Sequence, residues 1–335
     1  MSSNQRVQSR EPHPSALLPD YALKSLERYR PLLGEEWQAF LEALTRPLPV
    51  SLWRNPRRVD EAQFLDWFQA VEHDAMLQAH SWNTLGYTLW SRAQPEEPAS
   101  KPGNRIGYAA GLYHVQEEVS MIPPFVLDPH PGERILDLCA APGNKTALSA
   151  ALMGGTGTLV ANDKQEKRIR SGGPTWDRLG LANIAATVYD GTVFPVVEAG
   201  FDGILIDAPC SGEGTFRKAR GSLKPAASSF ADYLQRTQRG LLRRAAALCR
   251  PGGRIVYSTC TYAPEENELR IHELLAESGE TLTLEPVTLP GLRSDAGLTR
   301  WDGHELDSRL SRAARVWPHH NDTGGFFVAL LRKRP

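Results

Sequence analysis

Apolar side chains follow two different patterns along the chain. Between Trp37 and Leu44 they recur at i, i+3, i+4 and i+7, which predicts one apolar face of a helix. The apolar run 64–68 predicts a second packed helix, and the proline-flanked segment 47–55 between them is typical of a strand. The proline-rich segment 94–104 has little that could pack, so we expect a loop or linker there.

From about residue 105 short apolar runs alternate with helical segments. The predicted strands are Arg134–Leu138, Thr158–Ala161, Ile184–Val188, Phe201–Ile206, Gly253–Ser258, Thr281–Pro286 and Phe326–Leu331. Repeated strand–helix units predict an α/β fold whose parallel sheet has helices on both faces. Ligands of such sheets bind at the carboxyl ends of the strands. Here those ends have a loop of small residues, three aspartates and two cysteines.

Length and composition fit one large domain with a smaller one. The chain has 335 residues, of which 41% are hydrophobic. We expect a flexible N-terminus over 1–18, a small α-rich accessory domain with a linker over 19–104, and a catalytic domain over 105–335. The N-terminus lacks the apolar stretch of a secretory signal and no run is long enough to span a membrane, so the expected location is the cytoplasm. We expect a monomer.

The four cysteines do not form a CxxC pair, which argues against a structural zinc site. In a reducing compartment they should be free thiols. Cys249 lies on a predicted helix and is expected to pack in the core. Cys210 and Cys260 each follow a predicted strand, and each taken alone would more often be a buried thiol than a catalyst. Their common position at strand ends beside Asp207 favours a catalytic pair.

The loop after the first of these strands, DLCAAPGNKT from Asp137, suits close approach of a ligand to the backbone. It lacks both glycines of a phosphate-binding P-loop and the GxGxxG spacing of a dinucleotide site. Asp163 ends the next strand 24 positions after Cys139, which is close to the spacing of about 20 residues at which an acid meets ribose hydroxyls. These features favour a cofactor that contains adenosine without a bound pyrophosphate. A tight turn with an acidic loop residue is the structural alternative.

The ordered motifs DLCAAPGNKT, DAPCSGEGTFRK (207–218) and STCTYAPEENE (258–268) resemble the Sun/Fmu-type (NOL1/NOP2/Sun) RNA 5-methylcytosine methyltransferases. QEEVSMIPP (116–124) and the C-terminal WPHHNDTGGFFVALLRK also resemble this family, so the likeness covers about 105–333. It implies a class I S-adenosylmethionine-dependent, Rossmann-like methyltransferase fold, preceded by a small RNA-binding accessory domain. The implied cofactor is S-adenosyl-L-methionine, and the implied partner is RNA.

Site residues follow from the resemblance by position. Cofactor contacts are expected from Cys139, Ala140, Ala141, Pro142, Gly143, Asn144, Lys145, Asp163, Asp190 and Asp207. The catalytic set is Cys260 as nucleophile, Cys210 for product release, Asp207 at the target base, and Lys145. No metal is expected.

The chemistry explains why such a site needs a thiolate. Carbon 5 of cytosine is a poor nucleophile until a thiolate adds to carbon 6, and a free thiol is only partly ionised near neutral pH. Pro264 is typical of a first helical position, and a helix beginning there would favour the thiolate of Cys260. Asp207 is expected to bond ring nitrogen 3 of the base. The base must leave its stack to be reached, which favours single-stranded or loop RNA.

The net charge of −1 means that any RNA surface must come from local clusters. Arg217 and Lys218 directly follow the first cysteine motif and are the expected phosphate contacts, while Phe216 either stacks on a base or packs. Ribosomal RNA is favoured over transfer RNA. The chain ends just after the last predicted strand, so target choice is expected to depend on the N-terminal unit and the catalytic face.

Two other functions stay open. A DNA cytosine methyltransferase would use the cysteine of the PC motif and would not need Cys260. A non-catalytic RNA-binding or assembly protein could keep the fold, although such a protein would be expected to lose Cys260 or Asp207.

Two positions depart from the family pattern. Asn144 stands where the family often has a second glycine, a minor change because Asn tolerates unusual dihedral angles. Gly172-Gly173-Pro174 should break a helix that the family usually keeps continuous, which puts the adenine end of the pocket in question.

Overall fold

A computed structural model describes residues 18–94, 97–99, 101–218 and 228–335. The expected flexible N-terminus, 1–18, lies outside the described residues except for Leu18, which is buried. Among the described residues no helix is both long enough and apolar enough to cross a bilayer.

The helices and strands are numbered in chain order. The helices are α1 (Asp20–Leu26), α2 (Arg30–Leu33), α3 (Trp37–Thr45), α4 (Glu61–Val71), α5 (Ile106–Ala109), α6 (Ile122–Leu127), α7 (Asn144–Leu152), α8 (Glu166–Arg170), α9 (Gly173–Leu179), α10 (Ser228–Leu248), α11 (Glu268–Ser278) and α12 (Pro318–Asn321). The strands are β1 (Val50–Arg54), β2 (Ala75–Ala79), β3 (Gly86–Ser91), β4 (Tyr113–Val115), β5 (Arg134–Asp137), β6 (Thr158–Asn162), β7 (Ile184–Thr187), β8 (Phe201–Asp207), β9 (Cys249–Thr259), β10 (Leu282–Glu285), β11 (Asp295–Ala296), β12 (Arg300–Trp301), β13 (His304–Glu305), β14 (Ala314–Val316) and β15 (Phe326–Lys333).

The large sheet has a parallel centre and antiparallel additions. Its order is β11-β14-β15-β9-β8-β5-β6-β7, and β10 also pairs with β15. Strands β7, β6, β5, β8 and β9 run parallel, whereas β15 and β14 are antiparallel to their neighbours. The chain proceeds from β5 outward to β7 and then returns to β8 on the other side of β5, so the strand order reverses between β5 and β8. Such a reversal opens a crevice at the carboxyl ends of the strands.

Buried apolar residues on the two faces of this sheet form separate cores. Helices α6 and α7 pack on one face, and α10 and α11 pack on the other. Cys249 is buried in the second core, which confirms its expected packing role. Burial raises the pKa of the Cys249 thiol to about 11, so it stays neutral.

The N-terminal part contains a sheet that the sequence pattern did not predict. Strands β2, β3, β1 and β4 form a four-stranded antiparallel sheet, against which α4 packs. Its last strand, β4, lies beyond the expected boundary at residue 104 and pairs with β1. The expected α-rich unit is therefore a mixed one in the structure. Helices α1–α3 bury their apolar faces against Phe216, Tyr262 and Trp317 of the catalytic part.

Candidate active site

A large cavity lies at the carboxyl ends of the central strands. Its volume is about 1110 Å³, and both the small-residue loop after β5 and Cys260 after β9 line it. Its opposite wall comes from the N-terminal part, including Arg46–Ser51 and Val115. The cavity therefore sits where the strand order reverses, at the place expected for a ligand in this type of sheet.

The two cysteines of the expected pair lie next to each other. Cys210 Sγ and Cys260 Sγ are 3.4 Å apart, although 50 residues separate them in sequence. Backbone bonds join their loops: Ala208 N donates to the Ser258 carbonyl at 2.9 Å, and Gly214 N donates to the Cys260 carbonyl at 2.8 Å. Parallel pairing of β8 with β9 brings both strand ends to the same edge of the sheet.

The protonation state of Cys210 depends on its neighbour. The hydrogen bond with Cys260 raises the pKa of Cys210 well above its usual range, and burial adds to this. Cys210 therefore holds its proton at neutral pH while Cys260 is free, and it can donate an S–H bond to the Cys260 sulfur.

An ion pair stands beside the cysteines. Lys145 Nζ donates to Asp207 Oδ2 at 2.7 Å and to Ser120 Oγ at 3.0 Å. Asp207 Oδ1 accepts a bond from Ser258 Oγ at 3.2 Å. Burial alone would lower the pKa of Lys145, but the charge and the hydrogen bond of Asp207, together with the nearby Cys260 and Asp137, offset it, so the pKa is raised and the ammonium persists. Both side chains line the cavity, which makes them available to a ligand.

The loop after β5 is tightly fixed. Thr146 Oγ1 and Cys139 N donate to the two oxygens of the buried Asp137 at 2.7 and 3.3 Å. Gly143 has φ +106, and a Cβ there would lie 2.8 Å from Trp176 Nε1, so only glycine fits. The loop residues Cys139, Ala140, Ala141, Pro142, Asn144 and Lys145 line the cavity.

Asp163 and Asp190 follow the neighbouring strands, β6 and β7, and do not line this cavity. Asp163 Oδ1 accepts from Gln165 N at 2.9 Å, and its other oxygen lies 3.4 Å from Arg168. Asp190 Oδ1 accepts from the backbone and the hydroxyl of Thr192, which lowers the pKa of Asp190. Both carboxylates are thus hydrogen-bond acceptors at the neighbouring strand ends rather than part of the cysteine site.

The two expected phosphate contacts differ. Lys218 is exposed and lines the cavity. The Arg217 side chain is only 1% exposed and forms an ion pair with Asp322. Its guanidinium also donates to the carbonyls of Arg46, Pro47 and Thr323. Arg217 also belongs to the cavity lining, but its donors face inward and are already bonded, so the structure does not favour the expected contact of Arg217 with RNA. Phe216 is likewise buried and packs against α1–α3.

Two local predictions about helices have opposite outcomes. The break at Gly172-Gly173-Pro174 is confirmed, since α8 ends at Arg170 and α9 begins at Gly173. The helix expected to begin at Pro264 begins instead at Glu268, so its N-terminus does not adjoin Cys260 as expected. The physical reason is Asn267, whose side chain bonds Thr259 Oγ1 and the Thr261 carbonyl and so holds this segment in turns.

Sequence reasoning missed a titratable residue of the cavity lining, and it missed a set of contacts outside that lining. Glu117 lines the cavity, and burial raises its pKa. Tyr29, from the 3₁₀ helix Glu27–Tyr29 between α1 and α2, donates to Glu213 Oε2 at 2.6 Å, and Thr261 Oγ1 donates to the same oxygen at 3.1 Å. Glu117 lies in the segment 116–124, and the resemblance of that segment to the methyltransferase family is the one sequence signal that could have identified it. The contact of Tyr29 with Glu213 has no such signal. One cluster among the described residues could hold a metal, Glu36 with His319 and His320, and it does not line the cavity.

Comparison with known proteins identifies both parts of the chain. Residues 124–332 match the family model for 16S rRNA methyltransferase RsmB/F. Residues 23–118 match the model for the N-terminal domain of 16S rRNA methyltransferase RsmF.

Individual relatives cover different shares of the chain. Ribosomal RNA small subunit methyltransferase F of Erwinia tasmaniensis is 33% identical over 303 residues, which are 90% of this chain and 60% of that protein. The protein of the same name from Aeromonas salmonicida is 34% identical over 96% of this chain and 65% of its own length. This chain therefore spans less than two thirds of these relatives. A tRNA (cytosine(49)-C(5))-methyltransferase of Pyrococcus abyssi is 39% identical over 69% of this chain and 73% of its own length.

Solved structures share the fold. A methyltransferase homolog protein from Pyrococcus horikoshii superposes with a TM-score of 0.80 at 31% identity, over 94% of this chain and 100% of that one. NSun6 from the same organism reaches 0.78 at 20% identity, over 95% of this chain and 99% of that one. The expected class I methyltransferase fold with an N-terminal domain is confirmed. Because the RsmB/F model alone matches more than half of its residues, the chain belongs to the RsmB/F family of 16S rRNA methyltransferases.

Proposed function

We propose that this protein transfers a methyl group from S-adenosyl-L-methionine to carbon 5 of a cytosine in RNA, with Cys260 as the covalent nucleophile. The observation that supports this best is the 3.4 Å contact between Cys210 and Cys260 beside the cavity. The same cavity is lined by the loop of small residues after β5, which we call the cofactor loop. Two thiols, an ammonium–carboxylate pair and a cofactor loop converge there, as the addition–elimination chemistry requires.

The residues present fit the cofactor. The loop of small residues after β5 allows close backbone approach, and the cavity is large enough for an adenosine-based cofactor together with a nucleobase. Asp163 and Asp190 would hold the ribose hydroxyls and the adenine from the neighbouring strand ends. When bound, the cofactor supplies an electrophilic methyl group on a sulfonium.

The residues of the chain would perform the remaining chemistry. The Cys260 thiolate attacks carbon 6, a sulfur–carbon bond forms, and the electron pair moves into the ring toward carbon 5 and nitrogen 3. The Lys145–Asp207 pair holds protons at the cavity wall, and it stabilises the negative charge that arrives on nitrogen 3. Carbon 5 becomes enamine-like and takes up the methyl group.

Cys210 would act after methyl transfer. Its pKa is raised first of all by Cys260, and this cause disappears once the Cys260 sulfur is a neutral thioether. Cys210 then loses its proton to solvent more readily, and its thiolate can take the proton from carbon 5. The electron pair of that C–H bond reforms the ring double bond, and Cys260 leaves as a thiolate. The structure thus offers a reason for two cysteines with an ordered sequence of roles.

The RNA target is inferred from the comparisons. The relatives named for ribosomal RNA match 90–96% of this chain, including its N-terminal part, whereas the tRNA-modifying relative matches 69%. The N-terminal part lines the cavity, so it can contribute to the choice of RNA. We therefore favour ribosomal RNA, with tRNA as the second candidate. Lys218 is the remaining expected phosphate contact at the rim.

The test is a methylation assay with labelled cofactor on 16S rRNA, on tRNA and on single-stranded DNA, followed by nucleoside analysis. The proposal expects 5-methylcytidine in RNA, with ribosomal RNA preferred. Methylation of DNA alone would indicate a DNA enzyme. Calorimetry that detects no binding of S-adenosylhomocysteine would indicate a non-catalytic RNA-binding or assembly protein.

A further inference from the structure

The two departures from the family pattern meet at the cofactor loop. The helix break lets α9 begin at Gly173, and α9 packs Trp176 onto the loop, where Trp176 Nε1 donates to the Gly143 carbonyl at 3.2 Å. A Cβ at Gly172 would lie 2.7 Å from the Trp176 ring, so this close packing needs glycine. Arg178, farther along α9, reaches the next residue of the network, His114.

His114, which belongs to the N-terminal sheet, links α9 to Asn144. It lies on β4, where Arg178 Nη2 donates to its Nδ1 at 2.8 Å. Its Nε2 lies 3.1 Å from Asn144 Oδ1. The guanidinium of Arg178 is itself held over the Tyr108 ring at 3.7 Å. The N-terminal part thus contacts the side chain at the first position of α7.

These contacts determine the tautomer of His114 and the orientation of the Asn144 amide. Arg178 can only donate, so Nδ1 of His114 must accept and Nε2 must carry the proton. The Nε2–H group then requires an acceptor, which places the oxygen of Asn144 toward His114 and its NH₂ group away from it. Burial lowers the pKa of His114 to about 4, so the ring is neutral at physiological pH.

The NH₂ group of Asn144 is left for a ligand. Within the described part of the chain, Asn144 Nδ2 makes no hydrogen bond, and the residue lines the cavity. The group stands at the N-terminus of α7, where free N–H groups also favour an anion. A carboxylate or phosphate oxygen suits this position.

We propose that Asn144 Nδ2 donates a hydrogen bond to the carboxylate of the amino-acid end of the cofactor, and that His114 and Arg178 are positioning residues that aim it. This inference rests on the proposed function. The carboxylate is favoured over an RNA phosphate because Asn144 is only partly exposed and belongs to the same loop as Cys139–Pro142, whereas the expected phosphate contact Lys218 is exposed.

The test compares two ligands by calorimetry. S-adenosylhomocysteine has the amino-acid carboxylate, whereas 5′-methylthioadenosine lacks it. Asn144→Gly should weaken S-adenosylhomocysteine binding by about tenfold and leave 5′-methylthioadenosine binding unchanged. His114→Phe should reproduce this selective loss, while His114→Gln, which keeps an N–H donor and an acceptor, should restore most of the affinity.

Each other outcome overturns the inference. Equal loss for both ligands would mean general damage to the loop, and no loss for either would mean that Asn144 makes no such contact. A loss of RNA affinity alone would assign the group to a phosphate. If thermal denaturation shows that the His114→Phe variant does not fold, the Asn144→Gly and His114→Gln variants still decide the question. Failure of the unmodified protein to bind S-adenosylhomocysteine would instead refute the proposed function.

Discussion

Arg217 and Lys218 are adjacent basic residues for which the structure predicts opposite behaviour. Arg217→Met keeps the apolar stem and removes a guanidinium that bonds three backbone carbonyls and Asp322. Each lost bond to a carbonyl should cost about 1 kcal/mol of folding free energy. The bond to Asp322 is left out of this sum because the Asp322 side chain is substantially exposed. The expected loss of folding free energy is therefore about 3 kcal/mol. Lys218→Met should change stability by no more than about 0.5 kcal/mol.

Two assays separate the roles of these residues. Denaturant unfolding measures stability, and fluorescence anisotropy at several salt concentrations measures the number of phosphate contacts from the slope of log affinity against log salt. Lys218→Met should reduce the magnitude of that slope by about one, and Arg217→Met should leave it unchanged. A stable Arg217→Met variant with a reduced slope would refute the inward orientation of Arg217. A slope near zero in the unmodified protein would contradict an electrostatic RNA surface altogether.

Three further predictions concern cofactor binding, packing and pH. Asp163→Ala should weaken S-adenosylhomocysteine binding by about 1–3 kcal/mol in calorimetry, and an unchanged affinity would mean that the ribose contact is misassigned. Tyr29→Phe removes the hydroxyl bonded to buried Glu213 and should lower the free energy of unfolding by about 1–3 kcal/mol; no change would mean that the bond is not formed. Burial raises the pKa of Asp137 to about 7, above its unfolded value of about 4, so stability should fall as pH rises between these values. Asp137→Asn should flatten that part of the stability profile, and an unaltered profile would contradict the shift.

The central strands could be predicted from the sequence because each is a short apolar run that ends in a polar residue. Strands β5 and β8 appear within one residue of their expected bounds. Parallel pairing then places Asp207 beside the end of β9. The two cysteines that follow these strands could therefore be expected together at the carboxyl edge of the sheet. The N-terminal sheet could not be predicted, since only β1 has a clear strand pattern and β4 is three residues long.

The errors at the site have a common physical cause. The direction of a side chain after a strand depends on what the rest of the chain places there, and Arg217 turns inward because the carbonyls of Arg46 and Pro47, just after α3, lie within its reach. The helix after Cys260 starts late because Asn267 bonds the preceding turn. The contact between His114 and Asn144 joins strand β4 to the first residue of helix α7, 30 residues farther along the chain, and has no local sequence signal.

The covalent role of Cys260 is tested most directly by trapping the protein on RNA. Purified Cys210→Ala and Cys260→Ala variants are incubated with target RNA and S-adenosyl-L-methionine and run on a denaturing gel beside the double variant. Attack precedes release in the proposed sequence, so Cys210→Ala alone should shift upward as an adduct with methylated RNA. Cys260→Ala and the double variant should not shift. Stability loss without any adduct would indicate a structural role for both thiols, and an adduct with Cys260→Ala would contradict the assignment of Cys260 as the nucleophile.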